Sequence, residues 1–373
     1  MARTTVAVPE PVRWWIAATV FAVVLAFAPV PAGVVDSFYS RDMYPFVQKW
    51  MTALSNLIPF AVLDVLIVAT VIGVVYRLSR LFVVAQQRGV VDAAWEGFRR
   101  LVRLVAIVVI MFLWTWGCNY RRIPLETSLG IVERPTIGSL QAAIADAGAV
   151  AGRLRVTMQG PPNIGYDQIA TMLDEPFNAA LKAFGRPPLA REGRAKYSVI
   201  LTPFFTASGT DGMINPLALE TLVNPNLLPS ERPFVLAHEW GHLAGQADEA
   251  EASAVGWLAC MMGPSPLAYS GHLYLIMEGM AVLPPEQRRI ALSRLDPGVR
   301  GDIDLVLARM RMQNPTVQRT ASRVYDEYLK ANRVEDGTAS YGRALTIILS
   351  PQMRDVIDRY RSNPSRRSPL PAP

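Results

Sequence analysis

Residues 233–245 read Pro-Phe-Val-Leu-Ala-His-Glu-Trp-Gly-His-Leu-Ala-Gly, and the interpretation of the chain starts from this stretch. His238 and His242 are four residues apart, so on an α-helix they project from one face about one turn apart. Two neutral imidazoles placed in this way can bind one Zn²⁺ at about 2.0–2.1 Å. In this HExxH pattern Glu239 can act as a general base on a water molecule activated by the metal.

The same pattern could decorate a surface helix that binds no metal. Its flanks argue against this alternative, because residues 233–237 and 243–245 are almost entirely apolar and predict a buried helix. Histidine and glutamate side chains inside a buried helix need partners. We therefore predict one bound Zn²⁺ per chain, held in part by His238 and His242.

The composition predicts a membrane protein. Hydrophobic residues make up 51% of the 373 residues, and they are concentrated at the front of the chain. Three apolar segments, at about residues 14–35, 57–76 and 102–118, are each close to the ~20 residues that cross a bilayer. The first could instead be a cleaved signal peptide, but it has no clear small-residue cleavage site and two further segments follow it.

The distribution of basic residues predicts the orientation of these segments, because short arginine-rich loops stay in the cytoplasm. Only Arg41 and Lys49 lie between the first two segments. Six arginines lie between the second and the third: Arg77, Arg80, Arg88, Arg99, Arg100 and Arg103. The N-terminus is therefore expected inside and everything after about residue 119 outside. The net charge of +6 is then mostly a topology signal, and no basic and aromatic face indicates a nucleic-acid partner.

The predicted fold class is mainly α, with N-terminal transmembrane helices followed by a mostly helical domain with a short β element. We assign residues 1–120 to the membrane anchor, 121–362 to the domain that carries the motif, and 363–373 to a disordered tail rich in Pro, Ser and Arg. Helical periodicity predicts helices over 136–156 and 166–184, and residues 196–202 are the best strand candidate.

A catalytic zinc site needs a third protein ligand, and three acids downstream compete for that place. Gly245 suits the end of the first helix, so a second helix can begin near Asp248. Asp248 and Glu251 could each reach back to the metal, whereas Glu249 lies about 200° around this second helix from Glu251. Asp248 and Glu251 could equally form a capping box that involves no metal. The residues alone leave Asp248 and Glu251 as equal alternatives.

A resemblance to a known family bears on this choice. The carrying residues include Asn215-Pro216, the HExxH motif with Gly245, and residues 249–252 and 258–260, with a second match over 328–331, 336–337 and 340–343. They resemble an uncharacterised bacterial family of multi-span membrane proteins with a zinc-metallopeptidase-like domain of unknown function. That family is similar to glutamate-zincins, whose third ligand is a glutamate on the helix after HExxH. The resemblance therefore implies Glu251 as the third ligand, with Asp248 as the alternative; Ser253 stands where the family pattern often has Asn.

Several further residues are weaker candidates for the site. The family match suggests Tyr341 or Arg343 as the donor that stabilises the transition state, and Tyr325 and Tyr328 are others, although for any one tyrosine we expect packing in the helical core more than this role. Glu220 could support a zinc-bound imidazole or lie at the surface. Strand 196–202 could pair with an extended substrate, with a turn at 212–216 shaping the cleft.

Together these features predict a membrane-anchored zinc metallopeptidase in the bacterial cytoplasmic membrane. Its domain would face the outer or periplasmic side, and Glu239 would transfer the proton while peptides or proteins outside the cytoplasm are hydrolysed. An intramembrane protease would place the motif in a membrane span, but only about 14 apolar residues separate the flanking charges. The remaining alternative is an inactive zinc-binding membrane scaffold or sensor.

Overall fold

The computed structural model describes residues 13–332 and 343–362 and is mainly helical. The first part contains α1 (Arg13–Phe27), α2 (Ala32–Val34), a π-helical segment (Val35–Met43), α3 (Tyr44–Leu57), α4 (Val62–Arg88), α5 (Val90–Thr115) and a 3₁₀ turn (Gly117–Arg121). The middle contains α6 (Leu125–Leu129), α7 (Ile137–Thr157), α8 (Tyr166–Ala183), β1 (Ala195–Lys196), α9 (Thr202–Ser208), β2 (Gly212–Asn215) and β3 (Glu220–Val223). The last part contains α10 (Arg232–Leu243), α11 (Glu249–Met262), α12 (Ser265–Val282), α13 (Pro285–Ser293), α14 (Pro297–Met310), α15 (Pro315–Ala331), α16 (Arg343–Ile348) and α17 (Pro351–Arg361).

The predicted mainly α fold with a small β element is confirmed. Helices α7 and α8 lie within one residue of the predicted ranges 136–156 and 166–184. Thr136 begins the first of them, because its side chain accepts a hydrogen bond from the backbone N–H of Ser139. The predicted tail, residues 363–373, lies outside the described residues.

The three short strands form one sheet in the order β1-β3-β2, with β1 parallel and β2 antiparallel to β3. The predicted strand over 196–202 is wrong beyond Lys196, because the chain turns there and α9 begins at Thr202. The predicted turn at 212–216 is instead strand β2, which pairs with β3 through Gly212–Val223 and Asn215–Glu220. β2 therefore forms one edge of the sheet, beside α10.

Helices α10 and α11 form the centre of the core because glycines bring their backbones together. A Cβ at Gly256 would lie 2.8 Å from the backbone nitrogen of His238, and a Cβ at Gly241 would lie 2.9 Å from the Cα of Ala252. Thirteen of the 14 residues of α11 are buried. This close packing determines which face of α11 meets the HExxH helix.

The N-terminal helices expose apolar surface, but fewer of them qualify as membrane spans than the sequence predicts. Among the described residues, α4 alone is long and apolar enough to cross a membrane. A second crossing requires residues 16–27 and 32–57, bent by 105°, to be counted as one span. The predicted first span is interrupted after Phe27, and the predicted third span lies in α5, whose last 18 residues include three arginines.

The junction between α4 and the sheet is built from two acids, the buried Glu220 and the partly exposed Asp64. Glu220 on β3 accepts hydrogen bonds from the backbone N–H groups of Val62 (2.9 Å) and Leu63 (2.7 Å), and it pairs with Lys196 at 3.1 Å. Asp64, in the first turn of α4, accepts a hydrogen bond from the backbone N–H of Val199 at 2.8 Å. Negative charge at a helix N-terminus is favourable, so these acids hold α4 on the sheet.

Candidate metal centre

Three donor atoms converge between α10 and α11. Nε2 of His238 and Nε2 of His242 lie 3.1 Å apart, and Oε2 of Glu249 lies 3.2 Å from the first and 3.3 Å from the second. Neighbouring ligands of a tetrahedral zinc with bonds of about 2.0–2.1 Å are themselves about 3.3–3.4 Å apart. The triangle therefore has the size that a tetrahedral zinc ion requires, with one position left open.

Hydrogen bonds orient both imidazoles so that Nε2 faces the triangle. Nδ1 of His242 lies 2.8 Å from the backbone oxygen of Gln246, which can only accept, so in the neutral imidazole Nδ1 carries the proton and the lone pair is on Nε2. Nδ1 of His238 lies 3.1 Å from Oγ of Ser253. Such partners fix the tautomer and ring orientation of histidines that bind metals.

The acid that completes the triangle is Glu249. It lies two residues before Glu251, which the family resemblance implied. Its Oε1 accepts a hydrogen bond from the hydroxyl of Tyr325. Apart from the two imidazoles, no donor in the described part of the chain reaches its buried Oε2. A buried carboxylate oxygen without its own donor is costly unless a cation neutralises it. The donor set and this oxygen both fit a divalent metal ion.

Glu251 faces away from the histidines, so the structure does not bring the predicted third ligand to them. Its Oε1 accepts a hydrogen bond from the backbone N–H of Leu125 at 2.7 Å, and its Oε2 lies 3.6 Å from Nη2 of Arg186. Both side chains are almost completely buried. Glu251 faces away because α11 packs on α10 through the face that carries Glu249, Ser253 and Gly256. Glu251 lies on another face of the helix.

Asp248 is a helix cap, as the alternative without a metal suggested, although the reciprocal half of the capping box does not form. Its Oδ1 accepts hydrogen bonds from the backbone N–H groups of Ala250 (2.9 Å) and Glu251 (3.3 Å). Its Oδ2 pairs with Arg343, which also lies 3.5 Å from Glu126. Arg343 is thus placed on the cap and not on the histidines.

The other predicted residues have different positions. Glu220 holds the start of α4 and lies on β3, so it does not support an imidazole. Tyr341 lies outside the described residues. The hydroxyl of Tyr328 accepts a weak hydrogen bond from Tyr120 at 3.4 Å. Of the two candidate tyrosines within the described residues, Tyr325 contacts Glu249 and Tyr328 does not.

Glu239 lies next to the cluster against the start of β2. A Cβ at Gly212 would lie 2.6 Å from its Oε1, so a side chain at this position would displace the carboxylate of Glu239. Oε2 of Glu239 is buried and has no hydrogen-bond partner within the described residues. Burial raises the pKa of Glu239 to about 8, so its carboxyl group can hold a proton near neutral pH.

The charges of the cluster are strongly coupled. Burial alone would raise the pKa of Glu249, but the charges and hydrogen bonds of the two imidazoles hold it well below its usual range. Burial lowers the pKa of His238. Burial is also the largest single effect on His242 and lowers its pKa, but the charge and hydrogen bond of Glu249, the charge of Glu239 and the carbonyl of Gln246 together raise that pKa to about 9. Side-chain exposure is 15% at His238 but 8% at His242 and 3% at Glu249, so solvent reaches the cluster from the His238 side.

Sequence reasoning did not select Glu249, and it assigned no role to Ser253. A signal for both was present, because residues 249, 253 and 256 recur at i, i+4 and i+7 and so share one face of a helix. The small residues at 253 and 256 identify that face as the one that packs closely on a neighbour. The backbone oxygen of Gln246 carried no sequence signal at all.

Comparison with known proteins identifies the family and adds nothing on chemistry. Residues 39–349 match the family model described as Protein of unknown function (DUF3810). The chain belongs to this family. No curated protein and no solved structure matches it. The matched region starts in the π-helical segment and includes His238, His242 and Glu249.

Proposed function

We propose that this member of the DUF3810 family is a membrane-anchored zinc metallopeptidase that hydrolyses peptide bonds of peptides or proteins outside the cytoplasm. The observation that carries the proposal is the convergence of His238, His242 and Glu249, with Glu239 beside them. In this proposal Glu249 replaces Glu251 as the third protein ligand. The DUF3810 match is compatible with the proposal but does not bear on it.

A bound zinc ion would supply a Lewis acid that polarises the scissile carbonyl and lowers the pKa of water. Glu239 takes the proton from the attacking water and then delivers it to the leaving amine. The raised pKa of Glu239 matches a group that must both accept and release a proton. Ser253 and the Gln246 carbonyl hold the imidazoles in position during these transfers.

Strand β2 is suited to binding the substrate backbone. It pairs on one side with β3, and it passes Glu239 at Gly212. An extended peptide can add to such an edge through main-chain hydrogen bonds, which would align a scissile bond with the cluster. β2 thereby takes the role that the sequence suggested for residues 196–202.

The membrane anchor in this proposal consists of α1, α4 and α5. Helix α4 is apolar, none of the residues in its most hydrophobic stretch is buried, and α5 returns beside it after Gly89. The arginines lie toward the tip of this hairpin, while Glu220 holds the other end of α4. Arg121, after α5, donates to the backbone oxygens of Leu25 and Ala26 at the end of α1. The basic tip then lies in the cytoplasm, and the metal domain, residues 121–362, lies outside.

The alternative of an intramembrane protease is disfavoured by the length of the HExxH helix. Helix α10 has 12 residues, which corresponds to about 18 Å at 1.5 Å per residue. The hydrocarbon core of a bilayer is about 30 Å thick. Helix α10 is also enclosed by α8, α11 and α12, so it has no surface for lipid.

Zinc analysis with hydrolysis assays on the full chain tests the proposal. We expect about one zinc per chain in the wild type and in Glu239→Gln and Glu251→Gln, and loss of zinc in Glu249→Ala. Hydrolysis of a tryptic peptide mixture from bacterial membranes, followed by mass spectrometry, should fall at least ~100-fold in Glu239→Gln. Absence of zinc from the wild type after purification with zinc contradicts the proposal. Zinc without hydrolysis in the wild type would favour the zinc-binding scaffold.

A further inference from the structure

Helix α3 is amphipathic, but its faces are arranged in the reverse of the usual way. Its polar face packs on the protein, and its apolar face points outward. Gln48, Thr52 and Ser55 are buried, with at most 3% of each residue exposed. On the opposite side are large apolar residues that are 55–80% exposed: Phe46, Trp50, Leu54 and Leu57. A helix on a water-soluble domain has the reverse arrangement, because burial of apolar area is what stabilises it.

The polar face is bound to the metal domain through specific hydrogen bonds. Gln48 donates to the backbone oxygen of Arg191 at 2.5 Å and accepts from its backbone N–H at 3.0 Å. Thr52 donates to the backbone oxygen of Leu219 at 2.8 Å, and Ser55 accepts from Lys196. These bonds determine which way α3 faces, so the outward position of the apolar residues does not result from a loosely packed helix.

The helical segment that contains α3 lies across the direction of α1. Residues 16–27 and the segment 32–57 are bent by 105°. If α1 runs along the membrane normal, the segment 32–57 as a whole lies close to the plane of the membrane. Only residues 58–61 separate α3 from α4, so their apolar surfaces adjoin.

The residues at the rim of this face have the chemistry of a membrane interface. The ammonium group of Lys49 lies 5.7 Å from the centre of the Trp50 ring. Tryptophan is enriched at the level of lipid headgroups, and lysine can extend from there to the aqueous phase. Phe38 and Phe60, 67% and 56% exposed, extend the apolar surface beyond both ends of the helix.

We propose that α3 is an interfacial helix whose outer face, formed by Phe46, Trp50, Leu54 and Leu57, is inserted in the outer leaflet of the bilayer. This inference rests on the membrane anchoring in the proposed function, but it requires neither zinc nor hydrolysis. A helix with one apolar face buried about 5–10 Å deep, at the headgroup boundary, is a known mode of membrane association.

The consequence concerns the position of the metal centre. The hydroxyl of Tyr44, at the start of α3, donates to the backbone oxygen of Leu243 at 2.7 Å. Nε1 of Trp116, after α5, donates to the backbone oxygen of His242 at 3.0 Å. The end of the HExxH helix is thus fastened to two membrane-contacting elements, and the cluster lies close to the membrane surface.

Spin labelling of the full chain in vesicles of phosphatidylethanolamine and phosphatidylglycerol tests the inference. In a Cys118→Ser background, in which the remaining Cys260 is buried, nitroxides are attached to three variants that each add one exposed cysteine. Leu54→Cys probes α3, Val71→Cys probes α4, and Leu305→Cys on α14 is the water-exposed control. Collisions with oxygen report lipid, and collisions with a soluble nickel complex report water. We expect Leu54 to behave like Val71 and unlike Leu305.

The other outcomes separate the two proposals. If Leu54 collides with nickel while Val71 collides with oxygen, the inference is overturned and the anchoring by α4 stands. If both collide with nickel, the proposed anchoring fails as well. If Leu54 is shielded from both reagents, protein covers this face and the inference is overturned. Phe46→Cys provides a second position on the same face should Leu54→Cys fold poorly.

Discussion

Helices α4 and α11 are both apolar, yet their surroundings are opposite. Thirteen of 14 residues in α11 are buried in protein, whereas none of the 27 residues of α4 is. In α11 the alanines and Gly256 allow neighbouring backbones to come close, while α4 presents branched valines and isoleucines outward. Apolar composition thus predicts removal from water. Apolar composition does not show whether protein or lipid covers the helix. In these two helices the distribution of small residues makes that distinction.

The largest expected effect lies at the junction that holds α4 on the sheet. Glu220→Ala removes the acid at the start of α4 and leaves Lys196 buried without its carboxylate. We expect a loss of about 3–5 kcal/mol in the free energy of unfolding, as for other buried pairs that lose one partner. Glu286→Ala, which breaks an exposed pair with Arg289, should cause no measurable change. Guanidinium unfolding in detergent, followed by circular dichroism, measures both, and equal effects would contradict the junction role.

A pair of glycine substitutions tests the contrast between α11 and α4 directly. Gly256→Ala places a Cβ 2.8 Å from the backbone of His238, so we expect a loss of about 1–3 kcal/mol in the free energy of unfolding. Gly73→Ala in α4 meets nothing within 4 Å, and the better helix propensity of alanine should leave stability unchanged or slightly higher. The same unfolding experiment compares them. A Gly73→Ala variant as unstable as Gly256→Ala would show that protein packs on α4.

The hydroxyl of Ser253 should influence metal affinity more than stability. Ser253→Ala removes the partner of Nδ1 of His238, and we expect zinc affinity to fall about 10-fold. Competition with a chromogenic chelator measures the affinity. Ser293→Ala, at an exposed position on α13, is the matched control and should bind zinc as the wild type does. Unchanged affinity in Ser253→Ala would argue that His238 is not a ligand.

The smallest expected effect concerns Tyr325. Tyr325→Phe removes the hydroxyl that contacts Oε1 of Glu249, so we expect zinc affinity to fall by less than about 10-fold, at the lower limit for such supporting groups. Tyr328→Phe keeps an aromatic ring on the same helix without touching Glu249, and its affinity should match the wild type. Equal affinities for the two variants would exclude a positioning role for Tyr325.

Glu249 and Glu251 illustrate how far the site could be predicted from the sequence. The motif identified His238 and His242 correctly as neighbours, since their spacing depends only on local helix geometry. The choice between acids two residues apart depends on the rotation of α11 about its axis. Close contacts of Gly241 and Gly256 across the α10–α11 interface set that rotation, and these contacts are long-range. The family resemblance favoured Glu251, which the fold uses to bind Leu125 and Arg186 instead.

The sequence by itself determined the features that depend on local geometry and composition. These are the helical character of the chain, the paired histidines, the helix end at Gly245 and an apolar N-terminal region. Only the tertiary structure decided the third acid of the cluster, the position of Glu220 at the start of α4, the strand at 212–215 and the outward apolar face of α3. Each of these depends on which element packs against a residue, and the periodicity of one helix or strand shows its faces but not the neighbour that each face meets.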